Sequence, residues 1–140
     1  MPKVYSQGSF DILHKGHINL LKKCKKLAGN NGSVVVSLLS DASYEKYRGY
    51  KPTVPFESRK AVLESLKFVD KVIEGDNTNT RMELISEMPD FIVVGSDWAT
   101  KDIYLQYDLS PEWFEENNIT LLFFPYTKDV SSTQLKKGVK

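Results

Sequence analysis

Cysteine and histidine are scarce: the 140 residues include one cysteine, Cys24, and two histidines, His14 and His17. One thiol forms no intramolecular disulfide, and three nitrogen or sulfur side chains fall short of a closed zinc site. Neither GxxxxGK[ST] nor GxGxxG occurs, which excludes a P-loop and a dinucleotide fingerprint. No apolar run approaches the roughly 20 residues of a membrane-spanning helix. The opening MPKVYSQGSF lacks the apolar core of a secretory signal. These features predict a cytoplasmic chain without a membrane partner. Excess charge is missing too, since 19 basic residues against 18 acidic ones leave a net charge of +1. Nothing there attracts nucleic acid in general, so any anion must be held by local arrangement.

What is present reads as one globular α/β domain over residues 1–140. Hydrophobic residues make up 41%, enough for a core and too many for a disordered chain. Lys3 to Gln7 read as a strand that ends at Gly8. From His17 to Ala28 the apolar Ile18, Leu20, Leu21, Cys24, Leu27 and Ala28 share one helical face, and GNNG stops that helix. SVVVSLLS is the near-continuous apolar run of a strand buried on both faces. The alternation continues: FESRKAVLESLKF as helix, DKVIEG as strand, TRMELISEM as helix, FIVVG as strand, SPEWFEENN as helix and ITLLFFP as a fifth strand. SSTQLKK has a serine-capped helix start. Five strands separated by helices predict a parallel, doubly wound, Rossmann-like sheet with its ligand at the carboxyl ends of the strands.

Between the first strand and the first helix lies GSFDILHKGH, Gly8 to His17. The histidine pair admits three readings: a metal clip, a helix cap with an ordinary surface partner, and a phosphate-handling device. Ligand supply weighs against the first. Position favours the third, because Gly16 lets a ligand approach the backbone and the helix begins where its free amides attract an anion.

GSFDILHKGH resembles the G-[ST]-F-D-x-x-H-x-G-H signature of the cytidylyltransferase branch of the HxGH nucleotidyltransferases. SDAS, PFESRKAVLESLKFVDKVI, VVGSDW and TKDVSST follow in the family's order. The pattern is most like that of the small bacterial glycerol-3-phosphate cytidylyltransferases, which make CDP-glycerol for surface polymers. The resemblance implies direct attack of an acceptor phosphate on CTP, with pyrophosphate leaving. It implies catalytic roles for Asp11, His14, His17 and Lys46, with Asp11 helping to hold a Mg²⁺ ion. Nucleotide contacts would come from Gly8, Ser9, Phe10, Gly16 and Arg59, then from Gly95, Asp97 and Trp98. Thr127, Ser131, Ser132 and Thr133 would complete them near the end of the chain. A homodimer, through ESLKFVD, is also implied. Adenylyltransferases for FMN or heptose phosphate share GxFDxxHxGH, and a non-catalytic nucleotide-binding module on the same fold is a third reading.

The basic stretch YEKYRGYKPTVPFESR reads as a solvated loop by charge alone. The resemblance turns Lys46 and Arg59, and less strongly Arg48, toward phosphates. Tyr104, Tyr107 and Trp113 are either packing groups or the lining of an acceptor pocket. One departure stands out: YTKDVSST has Tyr126 and Asp129 where the family phrase R-T-x-G-I-S-T-T has arginine and glycine. Nucleotide binding is then weakened unless Lys128 supplies the charge.

Overall fold

A computed structural model describes residues 1–95 and 101–125. The calls on Asp97, Trp98, Tyr126, Thr127, Lys128, Asp129, Ser131, Ser132 and Thr133, and the terminal helix, lie outside those residues.

Five strands, β1 (Lys3–Gly8), β2 (Ser33–Leu39), β3 (Lys71–Gly75), β4 (Phe91–Gly95) and β5 (Thr120–Phe124), form one sheet in the order β3-β2-β1-β4-β5. All four pairings are parallel. This is the predicted Rossmann-like α/β fold. Among the described residues six helices connect the strands: α1 (Lys15–Ala28), α2 (Asp41–Arg48), α3 (Phe56–Glu64), α4 (Thr80–Glu87), α5 (Ile103–Tyr107) and α6 (Pro111–Glu116).

Alternation along the strands divides the interior into two cores. Val4, Val34, Val36 and Val93 pack with Leu21, Cys24 and Ala28 of α1 and Leu63 of α3. Their neighbours Tyr5, Val35, Ile92 and Val94 pack on the opposite face with Leu84, Ile103 and Phe114. A strand with helices on both sides must be apolar at successive positions, which is why β2 shows no polar alternation. Between β1 and β4 the strand order reverses, and at such a switch point the loops part to leave a crevice.

Three local outcomes differ from the expectations. The basic stretch is not all loop, because Ser40 caps α2 by accepting from the Ser43 amide at 3.0 Å and Gly49, at φ +85°, ends it. Helix α5 was not anticipated either, and its Asp102 cap accepts from the Leu105 amide at 3.1 Å. Helix α3 stops at Glu64 rather than running on to Phe68. There the chain turns so that Leu66, Phe68 and Val69 fold onto the first core, and Asp70 accepts from the Val34 amide at 2.8 Å.

Candidate functional site

At the switch point the ends of β1, β2 and β4 open into a cleft of about 430 Å³. Gly8, Ser9, Phe10, His17 and Gly95, all among the residues singled out in the sequence, line it. Arg48 and Lys101 bring two cations, and no carboxylate is among its described lining residues. A concave site whose described lining holds basic groups and no acid favours an anion, although the whole chain carries almost no net charge.

The two histidines owe their arrangement to the start of α1. His14 is the N-cap and its Nδ1 accepts from the Gly16 amide at 3.0 Å. His17 reaches back, and its Nδ1 accepts from the His14 amide at 3.2 Å. A ring nitrogen that accepts from an amide carries no proton, so each neutral ring holds its proton on Nε2. The capping box thus fixes the tautomer as well as the helix end. The rings stack with centroids 3.9 Å apart. Burial pushes the His17 imidazole down to about 4, helped by neighbouring His14, and burial lowers His14 too. A neutral His17 with an Nε2–H donor is therefore what the cleft wall presents at neutral pH, with a neutral His14 stacked on it. His17 lines the cleft, whereas His14 is not among its lining residues and stacks on the His17 ring at the start of α1. Gly16 serves the cap through its amide and is not part of the lining.

Phe10 holds His17 from the other side, with centroids 5.0 Å apart and the rings tilted by 54°. Its ring lies over Gly8, where an added Cβ would sit 3.0 Å from Phe10 Cε2. Phe10 also has φ +45°, rare for a bulky side chain. Such a conformation persists only where the surroundings impose it.

Two expected ligand contacts are placed differently. Arg59 is only 2% exposed. Its guanidinium donates to the carbonyls of Val54 at 2.8 Å, Ser9 at 2.8 Å and Leu39 at 2.9 Å, and to Asp41 at 2.6 Å. Four of its five N–H groups are thereby donated within the chain, and Arg59 is not among the residues that line the cleft. Asp11 is equally buried and accepts from the amides of Thr53 at 2.9 Å and Val54 at 2.8 Å, with the Tyr44 hydroxyl at 3.3 Å. A carboxylate so enclosed does not turn a ligand face to a cation in the cleft. Among the described residues no group of three His, Cys, Asp or Glu side chains could hold a metal. With both of its oxygens taken up by backbone amides, the Asp11 carboxylate does not fit a protein-held Mg²⁺.

Lys46 is exposed and outside the cleft lining. The Asp76 carboxyl lies below its ordinary range, chiefly through hydrogen bonds from the Thr78 hydroxyl and amide, with a smaller contribution from the charge of Lys46. Its helix neighbours Tyr44, Tyr47 and Arg48 form the cleft wall. Their spacing of three and four was the signal that a helical reading of DASYEKYR would have used. Asn77 joins them from the loop after β3, tied to α2 by the Ser43 hydroxyl at 2.8 Å. Tyr107 also lines the cleft, and its phenol stays protonated because burial, and then nearby Glu83, raise its pKa. Tyr104 and Trp113 instead make edge contacts with Phe114 in the second core.

Residues 5–138 match the family described as cytidylyltransferase-like. The chain belongs to that family. This cytidylyltransferase-like protein is 30% identical over 140 residues to the glycerol-3-phosphate cytidylyltransferase of Bacillus subtilis (strain 168), with 99% of its length and 98% of the relative's covered. It is 32% identical to a crystal structure of a lipopolysaccharide core biosynthesis protein from Thermoplasma volcanium GSS1, with TM-score 0.70 over 93% of this chain and 99% of the other. A protein of unknown function from Archaeoglobus fulgidus shares the fold at 19% identity and TM-score 0.65, with 92% of this chain and 93% of that one covered. The family's chemistry is nucleotidyl transfer, and this protein is a nucleotidyltransferase. No helix among the described residues is long and apolar enough to cross a membrane.

Proposed function

We propose that the enzyme transfers CMP from CTP to a small phosphorylated alcohol, glycerol 3-phosphate or a related polyol phosphate, forming a CDP-alcohol. The observation that carries this reading is the neutral histidine pair, fixed with Nε2–H groups, at a cleft whose described charged lining is basic. Identity to a named glycerol-3-phosphate cytidylyltransferase over nearly the full length supports the choice of CTP and of the acceptor class.

In the proposed step an oxygen of the acceptor phosphate attacks the α-phosphorus of CTP. The bond from that phosphorus to the bridging oxygen breaks in line, and pyrophosphate leaves with the electron pair. Positioning and charge stabilisation carry most of such a reaction. The histidine Nε2–H groups donate to phosphate oxygens as charge builds on them, His17 from the cleft wall and His14 from its place beside it at the start of α1. Arg48 and Lys101 neutralise phosphates on the other walls. Tyr107 and Asn77 offer neutral groups to hydroxyls. Mg²⁺ enters only as the nucleotide's own counter-ion, with no protein carboxylate assigned to it. Asp97, Trp98, Thr127, Ser131, Ser132 and Thr133 remain nucleotide contacts in this reading. Residues 1–140 would act as one domain, in a cytoplasmic homodimer.

Pyrophosphate release tests it, measured with CTP and with ATP against glycerol 3-phosphate, other polyol phosphates, FMN and heptose phosphate. Turnover is expected with CTP and a polyol phosphate. Turnover with ATP alone would replace the reading by an adenylyltransferase, and nucleotide binding without turnover on any pair would leave a binding module.

A further inference from the structure

We infer that Asp11 and Arg59 form a two-sided clamp that positions His17 through Phe10, and that neither touches nucleotide or metal. The inference rests on the nucleotidyl-transfer reading for its kinetic consequence and on geometry for its existence. Phe10 is flanked by two anchored points. Before it, the Ser9 carbonyl accepts from Arg59 Nη1 at 2.8 Å. After it, both carboxylate oxygens of Asp11 accept backbone amides, Oδ2 from Thr53 and Oδ1 from Val54. Both anchors converge on one residue. Val54 gives its amide to Asp11 and its carbonyl to Arg59 Nε at 2.8 Å.

Arg59 adds a third tie, from Nη1 to the Leu39 carbonyl at 2.9 Å, which joins the end of β2 to the end of β1. Asp41, at the start of α2, steadies the guanidinium from Nη2 and also accepts from the Phe56 amide at 3.3 Å. The segment before α3 is thereby fastened to the first loop by an acid on one strand end and a base on the following helix. Between these fixed points Phe10 takes its left-handed φ of +45°. Its ring has Gly8 beneath it and the His17 ring 5.0 Å away, and His14 stacks on the same imidazole at 3.9 Å. Loosening either anchor frees Phe10 to relax to a commoner backbone conformation, and His17 loses one of its two flanking rings. The chain of action runs from clamp to Phe10 to His17, and the clamp residues are buried and outside the cleft lining.

Asp11→Asn and Arg59→Lys test the clamp under saturating acceptor. Asparagine places an amide group against a backbone donor, and lysine cannot reach three carbonyls at once. Each variant is expected to lower kcat by about 10²-fold, the cost of a displacement of roughly 1 Å. The KM for CTP and the half-saturating Mg²⁺ concentration should stay within about twofold of wild type. A raised Mg²⁺ requirement in Asp11→Asn would make Asp11 a metal ligand and overturn the inference. A raised KM for CTP with kcat retained in Arg59→Lys would make Arg59 a phosphate contact, with the same result, and wild-type kinetics in both variants would remove the clamp altogether.

Amide hydrogen exchange in the ligand-free wild type gives a second reading that needs no variant. The Thr53 and Val54 amides should be strongly protected, and exchange at the rate of an open loop would contradict the clamp. If wild type released no pyrophosphate from CTP while these amides were protected, the nucleotidyl reading would fail and the clamp would stand.

Discussion

His17→Ala is expected to reduce CTP-dependent pyrophosphate release by about 10² to 10³-fold, the usual cost of removing one transition-state donor. His17 holds two jobs at once. Its Nδ1 satisfies the His14 amide at the start of α1, and its Nε2–H is the group left to meet phosphate oxygens in the cleft. Alanine removes both, so a second substitution is needed to separate them. Asparagine can place a carbonyl oxygen near the position of Nδ1 and keep the cap, yet it has no donor at the Nε2 position. His17→Asn should therefore melt close to wild type and still be nearly inactive. His17→Gln should do the reverse in part, losing cap stability of about 1 kcal/mol while retaining more turnover. Equal activity in His17→Asn and wild type would show that the ring serves the helix alone.

Arg59→Met is expected to have the largest effect on stability, about 3 to 5 kcal/mol in urea unfolding, because it strips donors from three backbone carbonyls at once. Ser9, Leu39 and Val54 lie at the ends of β1 and β2 and in the segment before α3. Methionine has nearly the length of arginine and replaces its packing without its hydrogen bonds. Asp41 contributes less to the loss, since its side chain is 46% exposed and returns to water when its partner is removed. Domains of this size have roughly 5 to 15 kcal/mol in total, so the variant should lie near the edge of folding. A loss below about 1 kcal/mol would mean that water or a small shift replaces the guanidinium without difficulty.

The fold could be read in the sequence where local pattern and tertiary environment agree. SVVVSLLS announced a strand covered on both sides, and β2 has helices on both faces. The place of His14 and His17 between a strand and a helix pointed to a helix start, although not to each ring accepting an amide and so fixing its tautomer. Arg59 was harder, because a charged residue in a basic stretch is assumed to face water or a ligand. Nothing local says that three carbonyls from distant segments converge on it. Asp11 misleads in the same way: an acid beside a phosphate site invites a metal, whereas its amide partners come from 42 and 43 residues further along the chain. Lys101 and Tyr107 reach the cleft through α5 and the segment before it, whose short pattern carried no periodic signal of its own.

The central claim is that His17 meets the nucleotide's phosphates as a neutral imidazole with its proton on Nε2. Long-range proton–nitrogen NMR of the imidazoles tests this directly, because the chain has only two histidines to assign. At pH 7 both rings should show an unprotonated Nδ1 and a protonated Nε2, and saturation with CTP should shift the His17 Nε2 resonance while both Nδ1 nitrogens stay unprotonated. A His17 proton on Nδ1, or a His17 spectrum unchanged at full occupancy by CTP, would contradict the account.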